Sequence, residues 1–349
     1  MKKNNYPLLT ESILRSKNED SLYQPTSFWK TASLQILKEI ESEGVENFRR
    51  LKNPLFFFVP TYGIPGNNFD KSLEEEIVQL ISKKGGNEKQ NLLFKKWMSG
   101  YSHALSDYRV FLSSLEKDNN FNLEKFTESQ YGNPIEQFTF NNKKFSRSSL
   151  NYLLGLCFLN KFLTKKDKIS NVLEIGGGFG TLGEILSFSK NKKYINLDIP
   201  PNSFISWNYL KNIYKKDLFN SLDVSRCNIL DLPKCTVLNS WNIKNLFGKV
   251  DLFVNFLSFQ EMEPKVVQNY FNFIKNLEPT WILLRNMREG KQKQTKINKV
   301  GVIDPMKTKN YIQFLDSKYS LVASDVLEFS FRTVDNYNSE LLLFKTKNK

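Results

Sequence analysis

The sequence predicts an α/β protein: a Rossmann-like, mostly parallel sheet of seven strands ending in a C-terminal antiparallel hairpin, preceded by a mostly helical region. Three observations carry this expectation. Residues 171–183 run from a short apolar segment into the turn Gly176, Gly177, Gly178, Gly180, then resume as Leu182, Ile185 and Leu186 at helical spacing. Strand, glycine loop and helix in that order open a nucleotide-binding βαβ unit. Four further apolar runs follow at residues 193–198, 234–241, 250–257 and 280–285, with helical patterning near 204–213 and behind Pro264. Residues 319–327 and 339–344 then pair as the closing hairpin, after a helix near 307–315.

The region before the loop reads as follows. Residues 1–27 are polar, with two prolines, and form a loosely structured lead-in. Over residues 27–50 Ala32, Ile36, Leu37 and Ile40 have helical spacing. Residues 55–66 are apolar and closed by Pro65 and Gly66, which predicts an extended segment. A helix over 72–82 stops at Lys83-Lys-Gly-Gly-Asn87, and 91–115 reads as one further helix. Residues 118–147 are polar and turn-rich, with Phe138 and Phe140 alternating as in a small hairpin, and 148–163 form an apolar helix. The division expected is a substrate-binding or lid region over 1–165 and a cofactor domain over 166–349.

Composition narrows the function classes. Of 349 residues, 40% are hydrophobic and 14% aromatic, which specifies a folded chain with a sizeable core. No apolar run is long enough for a bilayer, and the basic start Met1-Lys-Lys-Asn-Asn5 lacks the apolar core of a secretion signal. Cys157, Cys227 and Cys235 lack paired zinc spacing and there is a single histidine, so neither a disulfide framework nor structural zinc is expected, and a reducing, cytoplasmic home fits. The net charge is +14, but forty-one of the fifty basic residues are lysines in scattered pairs. Without an arginine-rich stripe, no nucleic-acid partner is expected.

Two cofactor classes use a strand–glycine loop–helix unit. Gly178, Gly180 and Gly183 fit the dinucleotide fingerprint, with Asp198 at a suitable distance for a ribose hydroxyl. The other reading takes Glu174, Gly176, Gly178 and Gly180, with a carboxylate in the last turn of the strand. That pattern resembles the first motif of class I S-adenosylmethionine-dependent methyltransferases. A carboxylate there suits a ligand bearing an ammonium and a sulfonium, and would repel a pyrophosphate.

Further candidates follow in chain order. Asp198 and Ile199 close the second strand, at the end that faces a ligand crevice. Ser240 and Trp241 end the third strand, where an adenine would lie, although a tryptophan there is equally plain core. Asn255, Gln260 and Glu261 crowd the exit of the fourth strand, and Arg285 and Asn286 that of the fifth. His103 is a natural base at neutral pH with Asp107 one turn on; a surface histidine is the competing reading. No metal site is expected, because no cluster of metal-spaced acids is present.

The resemblance becomes more specific in three blocks. Glu174-Ile-Gly-Gly-Gly-Phe-Gly180, Asn196-Leu-Asp-Ile-Pro-Pro201 and Asn255-Phe-Leu-Ser-Phe-Gln-Glu-Met262 are similar, in order and spacing, to the sugar O-methyltransferase family. The resemblance covers residues 145–290. It implies a seven-stranded methyltransferase sheet, S-adenosylmethionine as cofactor, and a sugar or glycan acceptor, nucleotide- or lipid-linked, in surface polysaccharide synthesis. On that resemblance Glu174, Gly176, Gly177, Gly178, Gly180, Asp198, Ile199, Ser240, Trp241 and Asn255 hold the cofactor. Gln260, Arg285 and Asn286 face the acceptor, and Glu261 or His103 takes its proton. An NAD-dependent oxidoreductase, a methyltransferase acting on RNA or protein, and a cofactor-binding protein without turnover stay open as alternatives.

Overall fold

Seven strands make the main sheet: β1 (Asn171–Ile175), β2 (Lys193–Asp198), β3 (Cys235–Asn239), β4 (Leu252–Phe256), β5 (Trp281–Met287), β6 (Tyr319–Asp325) and β7 (Ser339–Thr346). In the computed structural model, which describes residues 6–63, 71–116, 120–296, 301–333 and 335–347, they lie in the order β6-β7-β5-β4-β1-β2-β3. The first five are parallel, with β1 flanked by β2 and β4, and β7 is antiparallel to both β5 and β6. A dinucleotide sheet would carry six strands in the order 3-2-1-4-5-6. Insertion of a reversed seventh strand beside the fifth gives the class I methyltransferase arrangement. Between β1 and β4 the strand order reverses, the place where open α/β sheets bind ligands.

Side chains alternate across the strands and supply two cores. Val172, Tyr194, Val237, Val254 and Leu283 face one, with helices α7 (Arg147–Asn160), α8 (Thr181–Ser187) and α9 (Asn202–Tyr214). Leu173, Ile195, Leu238, Phe253 and Ile282 face the other, with α10 (Pro264–Asn276) and α11 (Thr308–Leu315). Strands buried on both faces read as continuous apolar runs, which is why their positions were visible.

The earlier helices join the first core, so Phe28, Ile36 and Phe48 are buried with Phe179 and Leu182 of the glycine-loop unit. Here the structure corrects several expectations. The lead-in contains α1 (Pro7–Ser16), started by a proline at its first position. After α2 (Ser27–Glu43), the segment expected to be extended begins as α3 (Lys52–Phe57). Its first amides, from Lys52 and Asn53, donate to the carboxylate of Glu39 at 2.8 Å each, a cap supplied from the preceding helix and invisible in the local pattern. Pro65 and Gly66 lie outside the described residues. α4 (Lys71–Lys83) is as expected, but the next helix is two, α5 (Glu88–Met98) and α6 (Tyr101–Ser113). They break at Gly100, whose φ of +78° belongs to the left-handed region. The small hairpin pairs Phe138–Phe140 with Lys143–Phe145. Of the lysine-rich loop over 289–299, residues 297–299 lie outside the described residues, as do 1–5.

Candidate functional site

The carboxyl ends of β1, β2 and β4 open onto a cavity of about 300 Å³, roofed by Trp29 of α2 and by Leu55 to Phe58 in and after α3. That volume is at the lower end of the range for small-molecule pockets. One wall is the glycine loop. Gly176, Gly178 and Gly180 have φ of +70°, +57° and +96°, and a Cβ on Gly176 would stand 2.1 Å from Ser258 Oγ. Gly178 differs: a Cβ there would meet only Phe58, at 3.8 Å, so its face opens into the cavity.

Asp198 lies beside it, buried, accepting from the amides of Gly178 at 3.0 Å and Ile199 at 2.8 Å. Burial pushes its carboxyl up to about 7; the two amides oppose this, and the charge of Glu174 adds to it. Asp198, Ile199 and Ser240 all line the cavity. So does Asn202, whose buried Oδ1 has no hydrogen-bond partner among the described residues. An unpaired buried acceptor next to an acid and an open backbone face fits the hydroxyls and amine of a nucleoside.

Glu174 is placed differently from expectation. It is fully buried beneath the loop, where Tyr152 and Tyr194 donate to its two oxygens at 2.7 and 2.5 Å. A Cβ on Gly177 would touch it at 2.5 Å, so it supports the loop and does not line the cavity. Burial raises its carboxyl to about 7 against those two hydrogen bonds. Trp241 is also outside the lining. It is core, with Nε1 donating to Asp223 at 2.7 Å.

At the exit of β4 the structure gathers Asn255, Gln260 and Asn286 into one buried network. Asn255 Nδ2 donates to the carbonyl of Ile175 at 2.9 Å, and Asn286 Nδ2 donates to Asn255 Oδ1 at 3.2 Å. Gln260 donates its amide to Asn286 Oδ1 at 3.1 Å, and its Oε1 accepts from the amide of Met287 at 2.7 Å. This network fixes the turn over 258–261 against β1 and β5; of its three residues, only Gln260 lines the cavity. The turn presents Glu261, which does line it. Lys291 Nζ donates to Oε1 at 2.8 Å and Trp29 Nε1 to Oε2 at 3.1 Å. Burial raises this carboxyl, with Lys291 and then Trp29 opposing. The start of α10 is left to Glu263, so Glu261 is not its cap.

Two further candidates, like Glu174, Trp241, Asn255 and Asn286, are not brought to the cavity. Arg285 is buried inside β5, donating to the carbonyls of Asn151 and Phe329 at 3.2 and 2.7 Å, and burial brings it down to about 10. Its role is to tie the sheet to α7 and to the segment after β6. His103 sits exposed on α6, and Asp107 is engaged by Tyr62, whose hydroxyl donates to it at 2.5 Å. Sequence reasoning missed Trp29, Phe58, Arg147 and Lys291, which line the cavity from segments far from the glycine loop. Among the described residues, no group of three or more histidines, cysteines or acids could hold a metal ion.

No family model matches the chain, and no curated protein matches it in sequence. Solved structures do resemble it. Mitomycin 7-O-methyltransferase MmcR is 10% identical over 58% of this chain and 58% of its own length, with a TM-score of 0.37. Magnesium protoporphyrin IX methyltransferase (ChlM) from Synechocystis PCC 6803 is 11% identical over 57% and 79%, with a TM-score of 0.38. An S-adenosylmethionine-dependent methyltransferase from Aquifex aeolicus is 17% identical over 57% and 94%, with a TM-score of 0.36. The chain thus spans less than two thirds of MmcR. Its fold assignment stands on its own strand pairing.

Proposed function

We propose that this chain is an S-adenosylmethionine-dependent O-methyltransferase whose acceptor is a sugar hydroxyl. The observation that carries the reading is one cavity lined by groups of different chemistry. Gly178 and Asp198 offer it an open backbone face and an acid, and Glu261 presents a second buried carboxylate. Asp198, Asn202 and Ser240 would hold the nucleoside. Glu174, buried beneath the loop and held by Tyr152 and Tyr194, props the loop from below. When bound, the cofactor supplies a methyl group on a sulfonium.

The residues of this chain supply positioning and one proton acceptor. Trp29, Phe57 and Phe58 line the cavity with apolar surface, and an acceptor seated against them would have its hydroxyl held in line for a single displacement. A sugar hydroxyl keeps its proton at neutral pH, and Glu261 takes it. The salt bridge to Lys291 and the bond from Trp29 hold that carboxylate in one orientation. The polysaccharide role rests on the sequence blocks named above.

A second reading keeps the reaction and changes the acceptor. The wall of Trp29, Phe57, Phe58 and Phe331 would also flank an aromatic hydroxyl compound. Calorimetric titration with S-adenosylhomocysteine and with NAD tests the cofactor; binding of NAD alone ends the proposal. Transfer of a labelled methyl group to free sugars, nucleotide sugars and catechol then ranks the acceptors, and labelling of catechol alone selects the second reading.

A further inference from the structure

We infer that Arg147 is the anion-binding residue of the cavity, and that the ligand it takes carries a carboxylate or phosphate. The inference rests on the methyltransferase reading and adds a charge requirement to it. Arg147 lines the cavity from the start of α7 and is half-buried. Its guanidinium carries five donors, and one of them, on Nη1, is used by the carbonyl of Thr61 at 2.7 Å. The group lies over the ring of Tyr62 at 5.7 Å and that of Phe331 at 5.3 Å, which holds the plane without consuming its donors.

The neighbouring acids are occupied. Asp107 accepts from the Tyr62 hydroxyl, and Glu136 accepts from the amides of Tyr62, Gly63 and Arg147 at 2.6, 3.1 and 3.4 Å. Among the described residues neither shares a side-chain hydrogen bond with the Arg147 guanidinium; burial raises both carboxyls, and the guanidinium's charge opposes that rise. The other cation of the lining, Lys291, is paired with Glu261. A fork of N–H donors with no second partner among the described residues, flanked by two rings in the cavity lining, is suited to a planar carboxylate or a phosphate. Two sources offer that chemistry: the amino-acid carboxylate of the cofactor, or an acidic group on the acceptor such as a uronate or sugar phosphate.

The full-length chain and its Arg147→Met and Arg147→Lys variants separate them by calorimetry. The probes are S-adenosylhomocysteine, 5′-methylthioadenosine (which lacks the carboxylate), and, on the S-adenosylhomocysteine complex, glucose, glucuronate and glucose 1-phosphate. Arg147→Met is expected to weaken one class of anionic probe by about tenfold or more, leaving methylthioadenosine and glucose unchanged, with partial rescue by lysine. Loss for S-adenosylhomocysteine assigns the anion to the cofactor; loss for glucuronate or glucose 1-phosphate alone assigns it to the acceptor. Unchanged affinity for every anionic probe overturns the inference, and so does an equal loss for methylthioadenosine, which would mean collapse of the cavity. If the parent chain binds neither nucleoside, the methyltransferase reading falls and this inference with it.

Discussion

Trp29 Nε1 donates to Glu261 Oε2 at 3.1 Å across 232 residues of chain, so the roof and the carboxylate of the cavity are one hydrogen-bonded unit. Glu261→Gln keeps the shape and removes the charge. Turnover is expected to fall by about 10²–10⁴ with S-adenosylhomocysteine affinity unchanged. A rise in acceptor KM at parental kcat would instead make Glu261 an orienting acceptor. His103→Ala, on an exposed helix face, should leave turnover at the parental value; a large fall there would return the base to α6.

Trp29→Phe separates packing from hydrogen bonding. The ring stays in the roof, but Glu261 loses one of its two donors. We expect stability to change by about 1–2 kcal/mol in thermal melts and kcat to fall with the donor set nucleoside affinity intact. Equal kcat in parent and variant would show that Lys291 alone orients the carboxylate.

Two glycines of the loop should fail in different ways. Gly178→Val places a side chain in the open face where a ligand backbone contact would form, so nucleoside binding is lost while the melting temperature drops modestly from the strain of its positive φ. Gly176→Ala drives a Cβ to 2.1 Å from Ser258 Oγ, so the larger loss should be in melting temperature. Calorimetry beside melting curves reads both; unchanged affinity in Gly178→Val would mean the loop does not hold the ligand.

Asp198→Ala should weaken cofactor binding by roughly 1–3 kcal/mol, the cost of leaving polar partners unsatisfied. The structure adds that Gly178 and Ile199 lose an acceptor, so Asp198→Asn, which keeps one carbonyl oxygen, should lie between. Affinity within twofold of the parent in both variants removes Asp198 from the site.

Glu174 and Asp198 are both raised to about 7 by burial. Unfolded, they titrate near 4. Between those values the folded chain binds more protons than the unfolded chain, so stability falls as pH rises through the window. The ligand-free protein should therefore melt at a lower temperature at pH 8 than at pH 5, and Glu174→Gln should flatten that slope. A parental profile that rises from pH 5 to pH 8 contradicts the assignment.

The parallel strands were legible because each is a short apolar run buried on both faces, and β2 was placed to the residue. Local pattern failed where distant residues decide the conformation: α3 depends on Glu39, and the break at Gly100 on the chain packed beside it at Tyr62. Of the candidates, Gly176, Gly177, Gly178 and Asp198 do line the cavity, since turn geometry and strand direction fix where they face. Arg285 and Trp241 fall outside the lining because a residue at a strand's exit points to either side of the sheet, and only packing decides which. Arg147, Trp29 and Lys291 had no local signal. Each reaches the cavity through tertiary contacts with segments remote in sequence.

β7 lies between β5 and β6 in the sheet but follows both along the chain. A nascent chain emerging from the ribosome as far as Asp325 therefore has a five-stranded parallel half whose β5 edge still awaits its neighbour. Its sixth strand has been made and its ladder partner has not. That strand carries Leu321 and Val322, both substantially exposed even in the finished edge. Until residues 339–346 are synthesised and slide in antiparallel to both neighbours, two unpaired strand edges are on offer to other chains. Stalling or truncation within this interval should thus favour aggregation over a merely weakened fold, and holdase chaperones would be needed most there.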